Sequence, residues 1–190
     1  MRMAWRMGNR EVLHVISSVD DSMIVAQVHE TRLMRKYKYF LSFESFRGEL
    51  HYSADHPERS RLTIDIDTAS VVCRDRSLKE HKQRRLAEYV RDVALNAAAH
   101  PSIQFSSCQI SAKALRGLVV EGVLTLCGTT RPLKMNAIFH PSSTDSLDIE
   151  ADLAFKLSEF GIKAPSSLFG MVETNDQVLI HLQMRTARKS

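Results

Sequence analysis

Glycine, proline and cysteine are all scarce in this chain, at 7, 5 and 3 of 190 residues, and there is a single tryptophan. That scarcity excludes a collagen-like repeat, a low-complexity linker and a small scaffold stapled by disulfides. Long apolar runs are missing as well. No window approaches the ~20 apolar residues of a membrane-spanning helix, which excludes a helical membrane protein. The charged start from Met1 to Arg10 is followed by no apolar stretch of the kind a secretory leader needs. The expectation for the chain as given is a cytoplasmic protein, or a periplasmic one if the true start lies upstream.

What is present is an ordinary globular composition, 44% hydrophobic and 25% charged, with a net charge of +4. A chain of this length buries roughly 70% of its unfolded surface, so its core needs neither metal nor disulfide. We expect one domain over 11–186, with a basic N-terminal tail over 1–10 and a short C-terminal tail over 187–190. Cys73, Cys108 and Cys127 stand far apart and are odd in number, which reads as free thiols in small apolar sites.

Strict alternation of apolar and polar residues dominates the chain, the pattern of strands with one buried and one wet face. It runs through Leu62, Ile64 and Ile66, through Ile103 and Phe105, and through Val120, Gly122, Leu124 and Leu126. It resumes in Leu133 to Phe139, Leu147 to Leu157 and Val178 to Met184, and stretches rich in β-branched and aromatic residues lie upstream. About eight antiparallel strands with short turns result. One segment departs from this period: between Ser77 and Ala99, residues Leu78, Leu86, Tyr89, Val90, Val93 and Ala97 share one side of a helical wheel, with Ser77 a candidate N-cap. The predicted fold is mainly β, an antiparallel barrel closed to remove its edges, with one helical crossover.

Catalytic signatures mostly fail. Gly117 to Gly122 has the glycine spacing of a phosphate-binding loop but continues Val123-Leu124 where lysine and a hydroxyl residue are needed. Asp65 and Asp67 begin like a calcium loop without its glycine or distal glutamate. His51, Asp55 and His56 are the one compact set of ligand-type or acid–base side chains, and they carry the alternative of a small hydrolase or isomerase. No metal and no catalytic residue is assigned. A further alternative is a module for nucleic acid or an acidic partner. It would use the basic run Arg74 to Arg91 with Arg32, Arg35, Lys36 and Lys38, beside the aromatics Tyr37, Tyr39 and Phe40. The plainer reading of the basic run is a solvated helix face.

Several blocks resemble one family. Phe43-Glu44-Ser45-Phe46-Arg47-Gly48-Glu49-Leu50 is similar to the F-x-x-F-x-G-x-I stretch of YceI-like proteins, the lipocalin-like polyisoprenoid-binding family. Ser22, Ile24 and Val28 resemble its opening strand, Leu62 to Ser70 a strand ending in a serine turn, and His100 to Ser107 its Y-P-x-I-x-F-x-S block. Val120 to Leu133 is similar to its V-x-G-x-L-T-I-x-G-x-T-x-P-V hairpin, and Phe160-Gly161-Ile162, Gly170 and Asp176-Gln177-Val178 to its closing elements. Departures are Asp21 for a histidine, Ala26 for a phenylalanine, and an unusually basic stretch from Thr31 to Tyr39.

The resemblance implies a lipocalin-like barrel that carries or stores a long amphiphile, such as a polyisoprenoid or fatty-acyl compound, in an apolar cavity. It implies no covalent chemistry, no required cofactor, no nucleic-acid partner, and a homodimer. On that reading the inward parity nominates Ile24, Phe40, Leu62, Ile64, Ile66, Ile103, Phe105, Leu124, Leu126, Met135, Phe139, Leu153, Phe155 and Phe160 as lining residues. Ala137 and Ala151 are the expected places where a larger side chain would fill the cavity.

Overall fold

The computed structural model describes residues 12–19, 22–32, 35–53, 55–113, 117–143, 145–163 and 173–189. The tail expected over 1–10, Gly170, and the side chains of Arg32, Arg35 and Lys36 lie outside this part. The described residues form eleven strands: β1 (Val12–Ser17), β2 (Met23–Arg32), β3 (Arg35–Phe43), β4 (Phe46–Tyr52), β5 (Arg61–Asp67), β6 (Val71–Cys73), β7 (Ser102–Ala112), β8 (Gly117–Leu126), β9 (Thr129–Pro141), β10 (Leu147–Lys156) and β11 (Glu173–Arg188). All described pairings are antiparallel.

The expected barrel of eight strands is present, and its closure explains why eleven segments make eight staves. β1 and β2 lie end to end along β11, with Ile16 opposite Thr186 and Ile24 opposite Leu182. β3 and β4 lie end to end on their other side, with Val12 opposite Tyr52 and Ile24 opposite Phe43. The ring continues through β5, β7, β8, β9 and β10 back to β11. β6 is an additional short strand on the outer edge of β3. Residues 187 and 188, expected in a tail, belong to β11, where Ala187 pairs with Val15 and Arg188 with His14.

Alternation in the sequence becomes alternation across the barrel wall. On β9, Met135, Ala137 and Phe139 are buried while Lys134, Asn136, Ile138 and His140 are exposed. The turn from β8 to β9 consists of Cys127 and Gly128, both at positive φ (49° and 73°), the paired left-handed geometry of a tight hairpin. Gly122 has a different role. A Cβ there would fall 2.8 Å from Cζ of Phe105 and closer still to the Ser106 carbonyl oxygen, so glycine is what lets the Phe105 ring lie against β8.

The helical crossover is α1 (Glu80–Tyr89), which runs on as a π-helical stretch, Val90–Ala94. It is shorter than the expected segment. Ser77 is not its cap: the Ser77 amide and hydroxyl both donate to Asp75 Oδ1, at 2.8 and 2.6 Å, while Gln83 Nε2 donates to the Asp75 and Leu78 carbonyls. Leu86 of the helix and Leu95 and Ala97 just beyond its end are buried, whereas Val93, placed on the apolar side by its spacing, falls within the π stretch, where the period is no longer 3.6, and is 63% exposed. Among the described residues no helix is long and apolar enough to cross a membrane. All three cysteines are free, Cys73 buried, Cys127 partly buried and Cys108 exposed.

Candidate ligand-binding cavity

The barrel is not filled evenly along its length. At one end Leu50, Ile110, Leu118, Ala137, Phe139, Leu147, Ile149, Ala151 and Met184 are buried in one core cluster. Tyr52 closes that end, its ring 5.6 Å from Phe139 and 6.5 Å from His14. Toward the other end the inner faces of the strands and the helix enclose a cavity of about 180 Å³. Its wall is made by Ile24, Ala26 and Val28 of β2, Tyr39, Leu41 and Phe43 of β3, Ile64 and Ile66 of β5, and Ile103 and Phe105 of β7. Leu124 and Leu126 of β8, Leu133 and Met135 of β9, Leu153 and Phe155 of β10, and Val178, Ile180 and Leu182 of β11 continue it. Leu86, Tyr89, Val90, Ala94 and Leu95 line it from the helical side.

Pairing between β9 and β10 stops at Asn136 opposite Asp152, so Leu133, Leu153 and Phe155 lie beyond the last bonded pair. A 3-10 turn, Leu157–Phe160, sits over this seam. Arg131 Nε donates to the Glu159 carbonyl at 3.0 Å, and Asp176 accepts from the Ser158 amide at 2.8 Å and the Ser158 hydroxyl at 2.6 Å. Those bonds hold the Asp176 carboxyl below the ordinary aspartate range. The ladder irregularity in β11 between Thr174 and Val178 brings Asp176 to this turn.

Among the described lining residues the polar groups are few: the Tyr39 and Tyr89 side chains and Glu30. Glu30 continues the inward row of β2 after Ile24, Ala26 and Val28, is 4% exposed, and has its Oε1 without a hydrogen-bond partner. No lysine, arginine or histidine stands among the described lining residues.

Ten of the residues nominated from inward parity face this cavity: Ile24, Ile64, Ile66, Ile103, Phe105, Leu124, Leu126, Met135, Leu153 and Phe155. Four do not. Phe40 is 39% exposed and lies in an outer groove with Val25, Gln27 and Leu179. Directly opposed residues share a face of the sheet, so once Ile24, Ala26 and Val28 point inward their partners Phe43, Leu41 and Tyr39 must follow, and Phe40 is turned out. Leu62 is buried opposite Leu50, toward the filled end. Phe139 packs on Tyr52 there, and Phe160 stacks edge-on behind Phe155 at 5.1 Å. Ala137 and Ala151 oppose each other in the filled core and do not border the cavity. Ala26, Val28, Leu41 and Glu30 are among the further lining residues that the inward parity did not nominate, as are Leu133, Ile180 and the helical residues. Extending the alternation from Ile24 through Glu30 would have found the β2 residues.

His51 and Asp55 are exposed, and His56 Nδ1 lies 3.1 Å from Glu58 Oε1 in an exposed pair. Among the described residues no group of three histidine, cysteine, aspartate or glutamate side chains is placed to hold a metal ion. On the basic run, Arg74 pairs with Glu44, Arg84 with Glu80 at 3.8 Å and Arg91 with Asp92 at 2.7 Å. Tyr39 faces the cavity and Phe40 the outside, so the three aromatics of that stretch do not form one stacking platform.

A closed eight-stranded antiparallel barrel with an apolar interior space places the chain in the class of lipocalin-like barrels. The chain belongs to the YceI-like family, whose domain profile matches residues 18–186. A UPF0312 protein of Pseudomonas putida (strain W619) is 27% identical over 131 residues, which cover 66% of this chain and 65% of that protein. The chain thus spans less than two thirds of the length of that relative. Among solved structures, Burkholderia cenocepacia BcnA superposes with a TM-score of 0.71 at 17% identity, covering 86% of this chain and 95% of that one. A polyisoprenoid binding domain from Saccharophagus degradans, implicated in plant cell wall breakdown, gives 0.66 at 12% identity and covers 95% and 100%. These two likenesses establish the fold.

Proposed function

We propose that the protein binds an amphiphile with an apolar chain in the barrel cavity, as a carrier or store, without covalent chemistry. The observation that carries this reading is the cavity itself, enclosed by aliphatic and aromatic side chains from nearly every stave and from the helix. A well-packed core leaves few voids larger than a water molecule, so a space of about 180 Å³ is a feature to be explained. The polyisoprenoid-binding description of the Saccharophagus domain supports the same reading by analogy. Burying ~200 Å² of ligand surface at about 25 cal/mol per Å² supplies ~5 kcal/mol without any directed bond.

Size limits the guest. Pockets for drug-sized ligands span about 300–1,000 Å³, and a cavity of ~150 Å³ holds benzene. The cavity therefore takes a short chain or one end of a long one, and a complete polyisoprenoid requires lining side chains to move. The homodimer implied by the resemblance is likewise our proposal. Light scattering that returns one chain's mass of 21.6 kDa would end it.

The test of binding is titration with N-phenyl-1-naphthylamine, an uncharged apolar fluorophore, alongside mass spectrometry of lipid extracted from purified protein. We expect saturable enhancement with wild type that is abolished in Ala26→Phe, which fills the cavity. Equal enhancement in the two proteins would reject the cavity as the binding site.

A further inference from the structure

We infer that Glu30 receives the polar end of the guest, and that this end carries an O–H or N–H donor, as an alcohol or an amine does, rather than a phosphate or carboxylate. The inference rests on the binding proposal above and adds the chemistry of the head group.

Three observations lead to it. The inward row of β2 reads Ile24, Ala26, Val28, Glu30, so one wall of the cavity passes from wholly apolar to a single carboxyl next to the β2–β3 hairpin. That carboxyl is 4% exposed and its Oε1 accepts no hydrogen bond. A carboxyl oxygen withdrawn from water and left unpaired costs free energy, which a donor brought in by a ligand recovers. Finally, no cationic side chain stands among the described lining residues. An anionic head group at this position would face a carboxyl, and no cationic side chain among the described lining residues offsets that repulsion. An alcohol or ammonium group reverses the sign of that interaction: its O–H or N–H donates to Oε1 while the chain lies along Val28, Ala26 and Ile24.

The experiment measures binding by calorimetry of four probes that share a ten-carbon isoprenoid skeleton: geraniol, geranylamine, geranyl phosphate and the headless hydrocarbon myrcene. Wild type is expected to bind geraniol and geranylamine at least tenfold more tightly than geranyl phosphate. In Glu30→Leu that order should disappear while myrcene binding is kept. Glu30→Gln, close in shape and without charge, should narrow the gap between geranylamine and geranyl phosphate, and it serves as the control should the leucine variant fold poorly. Geranyl phosphate binding as well as the alcohol, or a head-group order that survives in both variants, would overturn the assignment. If myrcene binds wild type but the head groups make no difference, the role of Glu30 falls and the cavity reading stands. If none of the four binds, both fall.

Discussion

His14 and Thr186 show how one buried polar pair ties the filled end of the barrel to pH. His14 is 5% exposed, Thr186 is 1% exposed, their Nδ1 and Oγ1 atoms are 3.0 Å apart, and the same hydroxyl accepts from the Leu147 amide at 3.0 Å. The pair thereby links β1, β10 and β11 where the ring closes. Burial, and then the nearby Arg188 charge, lower the His14 pKa below the ordinary histidine value of 6.5. The unfolded chain then binds the proton more readily than the folded one. Stability is accordingly full above the unfolded value and declines as pH falls from about 6.5 toward the lowered folded value, by at most about 1.4 kcal/mol per unit of lowering. Thermal unfolding followed from pH 7.5 to pH 5 should show a falling midpoint in wild type and a flatter profile in His14→Gln.

At the scale of elements, two strands carry features that reach the cavity. On β8, Gly122 admits the Phe105 ring, so Gly122→Ala forces either that ring or the β7 backbone to shift. The expected cost is about 1–3 kcal/mol in chemical denaturation, the range for overpacking a filled site. Because Phe105 lines the cavity, fluorophore affinity should change as well. On β11, Asp176 pins the turn that covers the seam between β9 and β10. Its carboxyl is held low by Ser158, so the restraint is complete above the ordinary aspartate value of 3.8 and is lost as pH falls through the lowered folded value. Asp176→Asn should speed amide exchange at Ser158 and fluorophore release near neutral pH, and acidified wild type should approach the variant. Release rates equal in both proteins at neutral pH would separate the turn from ligand exchange.

For the whole molecule, closure divides the interior into a packed half and a cavity half, and the two halves predict opposite responses to the same kind of substitution. Ala151 lies opposite Ala137 inside the filled core, so Ala151→Phe should destabilise by about 1–3 kcal/mol while leaving fluorophore binding in place. Ala26 borders the space, so Ala26→Phe should remove binding at little cost in stability. Paired denaturation and titration of the two variants test this division. An identical effect of both on binding would mean that the two halves act as one.

The alternation of Leu62 to Ile66, Val120 to Leu126 and Met135 to Phe139 determined the β class, the antiparallel order and which face of most strands is buried, because a period of two has one solution on a pleated strand. The lone change of period marked the crossover helix, and the motif blocks from Ser22 to Val178 marked the family. Local pattern could not place Phe40, since Tyr39 and Phe40 are adjacent aromatics and either parity buries one of them. The pairing of β3 with β2 decided it. Nor could pattern tell the buried alanines apart, because Ala26, Ala137 and Ala151 are alike in sequence and differ in what stands across the barrel from them. Whether an inward side chain meets another side chain, a void or an unpaired carboxyl such as Glu30 depends on how eight staves and a helix converge, and only the closed tertiary structure fixes that.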